Sequence, residues 1–204
     1  PIQVNFLGFP GTLGCEYIDY LIADKIVIPE TSKQWYSEKI IYLPNSYQAN
    51  DDDRKISSKI YSRIDQGLPD NSFIFCCFNN TYKITPSIFD IWMRILNSVQ
   101  NSVLWLLESN EHSTVNLKKE AIKRGVNENR IIFAKRLSVD EHLSRHRLAD
   151  LFLDTIPYNA HTTASDALWS GVPVLTCLGS TFPGRVSSSL LHAIGLPELI
   201  APSL

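Results

Sequence analysis

From Phe73 onward, five apolar runs of strand length alternate with segments of helical spacing, and this alternation constrains the fold more than any other feature. The runs are Phe73–Phe78, Val103–Leu107, Arg130–Phe133, Leu151–Asp154 and Val172–Thr176. They are continuously apolar, so these strands are expected to be buried on both faces. That pattern belongs to a parallel sheet covered by helices on each side. The first intervening helix opens at Thr85-Pro86, with Thr85 as N-cap and Pro86 at the first helical position. Ile88, Ile91, Trp92 and Ile95 then mark one helix face. Val115–Arg124 forms a helix ended by Gly125, and Ser138-Val139-Asp140-Glu141 reads as a capping box for the next. Thr163–Ser170, ended by Gly171, and Arg185–Ile194 complete the set. The expected class is α/β, a doubly wound sheet whose ligands sit at the carboxyl ends of its strands.

The segment before it has a different grammar. Ile2–Leu7, Tyr17–Ala23 and Lys39–Tyr42 are short extended candidates, with a glycine-rich loop from Gly8 to Gly14. Pro44–Asp53 is polar and carries Asp51-Asp52-Asp53, leading into an expected helix near Lys55–Gln66. Three parts result: residues 1–45, a connector 46–69, and the α/β unit 70–204. The chain opens at Pro1, directly on a strand-like run, and reads as a piece of a longer protein.

Bulk properties exclude several classes. A formal net charge of -2 offers no basic face for nucleic acid or an anionic membrane. No apolar stretch reaches the roughly 20 residues that span a bilayer, and no signal peptide is visible. Cys15, Cys76, Cys77 and Cys177 form no CxxC pair and read as free thiols of a reducing, cytoplasmic compartment.

The strand-end loops carry the chemistry. After Phe78 comes Asn79-Asn80-Thr81-Tyr82-Lys83, whose lysine either neutralises a phosphate or is simply solvated. After Phe133, Lys135-Arg136-Leu137 leads to a helix bearing His142, Arg145 and His146. His142 and His146 share a face, but no third metal ligand is near. Either they belong to a polar helix face, or His142 and Arg145 point into the crevice. After Asp154, the stretch Thr155 to Asp166 contains His161-Thr162-Thr163 at a helix start. Unpaired amides and the positive dipole end make such a start a phosphate site, with Asp166 placed to accept from sugar hydroxyls. Ordinary N-capping by Thr162 or Thr163 is the alternative. A further glycine-containing loop precedes Arg185, which is either functional or paired with a carboxylate. No G-x-S-x-G elbow, Walker lysine motif or G-x-G-x-x-G fingerprint is present. These residues by themselves lead to an α/β domain binding a phosphorylated nucleotide at the sheet edge.

Whole blocks go further. Phe78-Asn79-Asn80-Thr81-Tyr82-Lys83-Ile84-Thr85-Pro86, Asn101-Ser102-Val103-Leu104-Trp105-Leu106-Leu107 and Glu141-His142 with Arg145 follow in order. His161-Thr162-Thr163 with Asp166 and Leu168-Trp169-Ser170-Gly171-Val172-Pro173-Val174 come next, and Gly8-Phe9-Pro10-Gly11-Thr12 stands near the start. Together they resemble glycosyltransferase family 41, the O-linked N-acetylglucosamine transferases and their bacterial relatives, over nearly the whole chain.

The resemblance implies a GT-B fold. Residues 1–45 would end the N-terminal lobe, and 70–204 would form most of a Rossmann-like, donor-binding C-terminal lobe. It implies inverting, metal-independent transfer of N-acetylglucosamine from UDP-GlcNAc to Ser/Thr hydroxyls of proteins, with no cofactor. By matching positions, Lys83 would assist departure of the diphosphate and Asn80 would stand near the phosphates. His142 would lie against the uracil with Arg145 beside it, and the Leu137 backbone would read the base edge. His161, Thr162 and Thr163 would hold the diphosphate, and Asp166 the ribose. Val139 departs from the family, which often has lysine there. The short connector suggests a bacterial type. Tetratricopeptide repeats that recruit acceptor proteins, and the acid/base histidines, would lie upstream, and the closing helices downstream, so the fragment alone is expected to be inactive. O-fucosylation from GDP-fucose is an alternative, although that branch has Gly-Thr-Thr where His161-Thr162-Thr163 stands. N-glucosylation from UDP-glucose and a non-catalytic nucleotide-sugar-binding or adaptor domain are the others.

Overall fold

The computed structural model describes residues 1–204. Strands β1 (Val4–Asn5), β2 (Tyr20–Ala23) and β3 (Lys39–Tyr42) form a three-stranded parallel sheet in the order β1-β2-β3. The remaining strands are β4 (Phe73–Cys77), β5 (Ser102–Leu107), β6 (Ile131–Ala134), β7 (Leu151–Leu153), β8 (Val174–Cys177) and β9 (Ile200–Ala201). They form a six-stranded parallel sheet in the order β6-β5-β4-β7-β8-β9. The chain winds outward from β4 in one direction, then returns to β7 and winds in the other. Between β4 and β7 the strand order reverses, and a crevice must open there at the carboxyl ends. Phe75 pairs with Leu151 and Cys76 with Phe152 across that junction.

The helices are α1 (Pro86–Ser98), α2 (Glu111–Lys123), α3 (Val139–His146), α4 (Thr162–Trp169) and α5 (Val186–Ala193). Thr85 caps α1 as expected, its hydroxyl accepting from the Ile88 amide. Ile88, Trp92 and Leu96 of α1 are buried with Ile74, Trp105 and Phe152 in one large core. Cys76 and Cys77 are both fully buried at the carboxyl end of β4, as a strand covered on both faces requires, and all four cysteines are free thiols.

The first sheet docks onto the α5 end of the second. Leu21, Val27, Ile28 and Tyr47 pack with Phe182 and Val186, and the Tyr47 and Phe182 rings meet edge to face at 4.8 Å. Buried Asp24 joins the parts. It accepts from the amides of Ile26, Val27 and Tyr47 and from the Ser189 hydroxyl at 2.6 Å. Its four partners satisfy a carboxylate that would otherwise be costly to bury.

Several expectations are corrected. No α-helix forms over Lys55–Gln66; only Ile64–Gln66 makes a single 3₁₀ turn. The segment is instead a strap laid across α3, with its polar groups bonded outward. The Ser57 amide donates to the Asp140 carbonyl at 3.1 Å, and the Ser144 hydroxyl donates to the Lys59 carbonyl at 2.6 Å. Arg63 bonds the Asp150 carboxylate and the carbonyls of Asp70 and Ser72. The Ser138 capping box does not close, because Glu141 pairs with Lys59 at 3.0 Å rather than reaching back. Helix α2 starts earlier than expected, at Glu111, because Asn110 accepts from the Ser113 amide. The run Ile2–Leu7 yields only the two residues of β1, and β9 had no apolar run to announce it.

Candidate functional site

At the strand-order reversal, the loops after β4, β6 and β7 and the ends of α3 and α4 enclose a cleft of about 410 Å³. That volume suits a small-molecule site. Lys83, Asn80, Leu137, His142, Arg145, His161, Thr162, Thr163 and Asp166 all line this cleft, although they come from three separate stretches of the chain. Arg185 does not; its guanidinium donates to the Ile26 carbonyl at 3.1 Å and joins the two sheets.

One wall is the start of α4. His161, not Thr162 or Thr163, is the N-cap residue, and it makes no side-chain cap bond. The amides of Ala164 and Ser165 turn back to the His161 carbonyl. Those of Thr162 and Thr163 have no acceptor within the helix and sit at its positive end. The Thr163 hydroxyl gives its proton to Asn79 Oδ1, so toward the cleft it offers lone pairs. Asn79 Nδ2 donates to Thr155 Oγ1 at 2.8 Å, and Thr155 donates on to the Tyr158 carbonyl at 2.7 Å.

Lys83 faces this helix start. Its Nζ donates to the Asn159 carbonyl at 2.8 Å and lies 4.3 Å from the Tyr158 ring centroid. Burial lowers the Lys83 pKa, and nearby Asp154 opposes the shift. Asp154 is itself buried, which raises its pKa against the hydrogen bonds from Thr176, Ala160 and Thr155. The His161 ring stacks on Tyr158 at 4.9 Å, with Nε2 donating to the Pro183 carbonyl at 3.2 Å. Burial, with Lys83 close by, pushes its pKa down to about 4, so the ring is neutral at pH 7.

The other wall is α3. Arg145 is only 1 % exposed. It donates to the Lys135 carbonyl at 2.5 Å, and its Nε and Nη2 reach His142 Nδ1 at 3.0 and 2.7 Å. A guanidinium has no acceptor, so His142 Nδ1 must accept and the proton must sit on Nε2. Burial, reinforced by His146 and Arg145, pushes the His142 pKa down to about 3. His142 is therefore a neutral donor with a fixed tautomer. Its proximity to His146 serves packing: both rings meet Phe78, and His146 Nδ1 donates to the His142 carbonyl at 2.7 Å. The one His/Cys/Asp/Glu group with metal-like spacing is Asp51-Asp52-Asp53, which is exposed and away from the cleft lining.

Asp166 is the sole carboxylate on the lining, and Arg54 bonds it at 2.5 Å. Burial raises the Asp166 pKa and Arg54 lowers it. Sequence reading missed Arg54, Asn79 and Tyr158. For Asn79 the signal was present, since it stands at a strand end beside Asn80. For Arg54 there was none.

A sequence profile of glycosyl transferase family 41 matches residues 1–60 and 48–204. The chain is 43 % identical over 201 residues to a probable UDP-N-acetylglucosamine–peptide N-acetylglucosaminyltransferase of Arabidopsis thaliana, covering 96 % of this chain and 21 % of that protein. It is 42 % identical over 140 residues to the UDP-N-acetylglucosamine–peptide N-acetylglucosaminyltransferase of Caenorhabditis elegans, covering 69 % of this chain and 12 % of that one. A solved mutant of the Thermobaculum terrenum O-GlcNAc transferase superposes with a TM-score of 0.87 at 30 % identity, covering 100 % of this chain and 38 % of that chain. This chain thus spans about a fifth or less of the curated relatives' length. None of its helices is long and apolar enough to cross a membrane.

Proposed function

The chain belongs to glycosyl transferase family 41, and from that premise we propose that its cleft binds UDP-GlcNAc and that the whole protein transfers N-acetylglucosamine to Ser/Thr hydroxyls of proteins. The reading takes residues 1–45 as the end of an N-terminal lobe, 46–69 as a connector and 70–204 as the donor lobe of a GT-B enzyme. Acceptor-recruiting tetratricopeptide repeats upstream belong to the same reading. The short connector is its basis for a bacterial type, and the four free thiols its basis for a cytoplasmic setting. The relatives described above are named for N-acetylglucosamine transfer, so the fucosyl and N-glucosyl readings are not carried further.

The observation that carries the proposal is the convergence of Lys83 and the α4 amino end on one cleft, opposite a neutral donor histidine. In transfer to a hydroxyl, negative charge builds on the leaving diphosphate. Lys83 would exchange the Asn159 carbonyl for a phosphate oxygen, and the amides of Thr162 and Thr163 would meet the same charge along the helix dipole. Donors already aimed in a desolvated site stabilise such charge strongly. With that neutralisation in place, the proposed reaction needs no metal. His142 Nε2–H is set to donate to a carbonyl of the base, and the Leu137 backbone to read its edge. Arg145 cannot act on the base as freely as its family position implies, because Lys135 and His142 already engage its donors. Asp166 would accept from the ribose, and Asn80 stands by the phosphates.

Calorimetric titration with UDP and GDP, with Lys83→Ala as the variant, tests the proposal. Selective binding of UDP that weakens in the variant is the expected result. Preference for GDP, or no binding to the folded protein, would overturn it.

A further inference from the structure

The Arg54–Asp166 contact joins the connector to the nucleotide cleft across 112 positions of sequence. Both side chains are largely buried, 15 % and 13 % exposed. The contact is single, Arg54 Nη2 to Asp166 Oδ1, and Oδ2 has no partner within the protein. Arg54 is itself held, because Trp169 Nε1 donates to its carbonyl at 3.3 Å. Beyond it the strap is fastened to α3 through Ser57, Lys59 and Ser144. Burial would by itself favour a protonated Asp166, and a protonated carboxyl accepts poorly. The guanidinium opposes that and fixes one oxygen, leaving the other without a protein partner on a residue that lines the cleft.

A carboxylate clamped in this way suits a hydroxyl-bearing ligand. A ribose offers vicinal hydroxyls; a 2′-deoxyribose lacks one of the donors. Resting on the UDP reading above, we propose that Arg54 is a positioning residue for the ribose. Acting through Asp166, it makes the cleft select ribonucleotides over 2′-deoxyribonucleotides. The connector therefore contributes to donor recognition as well as to linkage.

The test compares Kd for UDP and 2′-deoxy-UDP in the wild-type protein, Arg54→Gln, Arg54→Lys, Asp166→Asn and the Arg54→Gln/Asp166→Asn double variant, each checked for fold by circular dichroism. The wild type should prefer UDP by about tenfold, the loss of one good charged hydrogen bond. Arg54→Gln should weaken UDP about tenfold while leaving 2′-deoxy-UDP nearly unchanged, so that the preference collapses. Arg54→Lys should restore part of it, and the double variant should be no worse than Asp166→Asn, since both act on one contact. An unchanged UDP preference in Arg54→Gln overturns this inference alone. So does equal weakening of both ligands, which marks a merely structural residue, and so does tighter UDP binding, which marks Arg54 as an occupant that must leave. Failure of the wild type to bind UDP overturns the nucleotide reading and this inference with it.

Discussion

Thr163 and Asn79 are joined side chain to side chain, and this bond ties the start of α4 to the end of β4. The amide of Asn79 continues the link to Thr155 at the end of β7. The strands flanking the order reversal are thus tied to the helix whose free amides face the cleft. Asn79 is only 2 % exposed, so water cannot readily replace it. Asn79→Ala should cost about 1–3 kcal/mol, the usual penalty for stranding buried hydrogen-bonding groups. Urea unfolding should show a lower midpoint with unchanged slope, and UDP affinity should fall with it. An unaltered midpoint would mean that the link contributes nothing.

Lys83 can be removed with less damage to the fold, because its one hydrogen bond is to a loop carbonyl. Its proposed work lies in the transition state. Lys83→Ala in the complete enzyme should lower kcat by roughly 10²–10³-fold, or about 3–4 kcal/mol, as for other donors to developing oxyanions. Steady-state turnover of donor sugar measures this. A variant that lost only UDP affinity, with kcat intact, would reduce Lys83 to a ground-state contact.

What could be read beforehand follows a physical division. β4 and β5 were legible because strands buried on both faces must be continuously apolar. Lys83, His142 and His161 were legible as site residues because parallel sheets put function in the loops at strand ends. The strap was misread for the opposite reason. Lys55–Gln66 satisfies its backbone through Asp140 and Ser144, more than 80 residues away, and no local pattern encodes those partners. Glu141 shows the same competition in miniature: a local capping partner lost to a distant lysine. Arg54 was invisible because its importance exists only once Asp166 is beside it.

Three neutral histidines, His146 buried and His142 and His161 half-buried, predict acid sensitivity. Burial holds His142 near about 3 and His146 and His161 near about 4, against about 6.5 in the unfolded chain. Below about pH 6.5 the unfolded chain therefore binds protons that the folded one refuses. Their contribution is fully present above that pH and is lost as pH falls toward about 4, by up to ~1.4 kcal/mol per pH unit per histidine. The raised carboxyls of Asp154 and Asp166 act in the opposite sense and offset part of the loss. Urea unfolding should give lower stability at pH 5 than at pH 7. His146→Phe, at a ring packed on Phe78, should flatten the slope. Equal stability at the two pH values in the wild-type protein would contradict this account.

Gly184 tests the support behind His161. A methyl group there would lie 2.7 Å from the Pro157 carbonyl oxygen and 3.3 Å from the Thr181 hydroxyl. Its own carbonyl already accepts from Gly179, so the loop is held on the other side at 2.8 Å. The neighbouring Pro183 carbonyl receives both the Asn159 amide and His161 Nε2. Any shift that relieves the clash therefore moves the carbonyl that orients His161 and the segment whose Asn159 carbonyl receives Lys83. Gly184→Ala should destabilise by about 1–3 kcal/mol, as overpacking against a fixed backbone does. It should also weaken UDP binding at temperatures where the variant is fully folded. Thermal unfolding and calorimetry separate the two effects. A lower Tm with unchanged UDP affinity would show that the loop stabilises the fold without shaping the cleft.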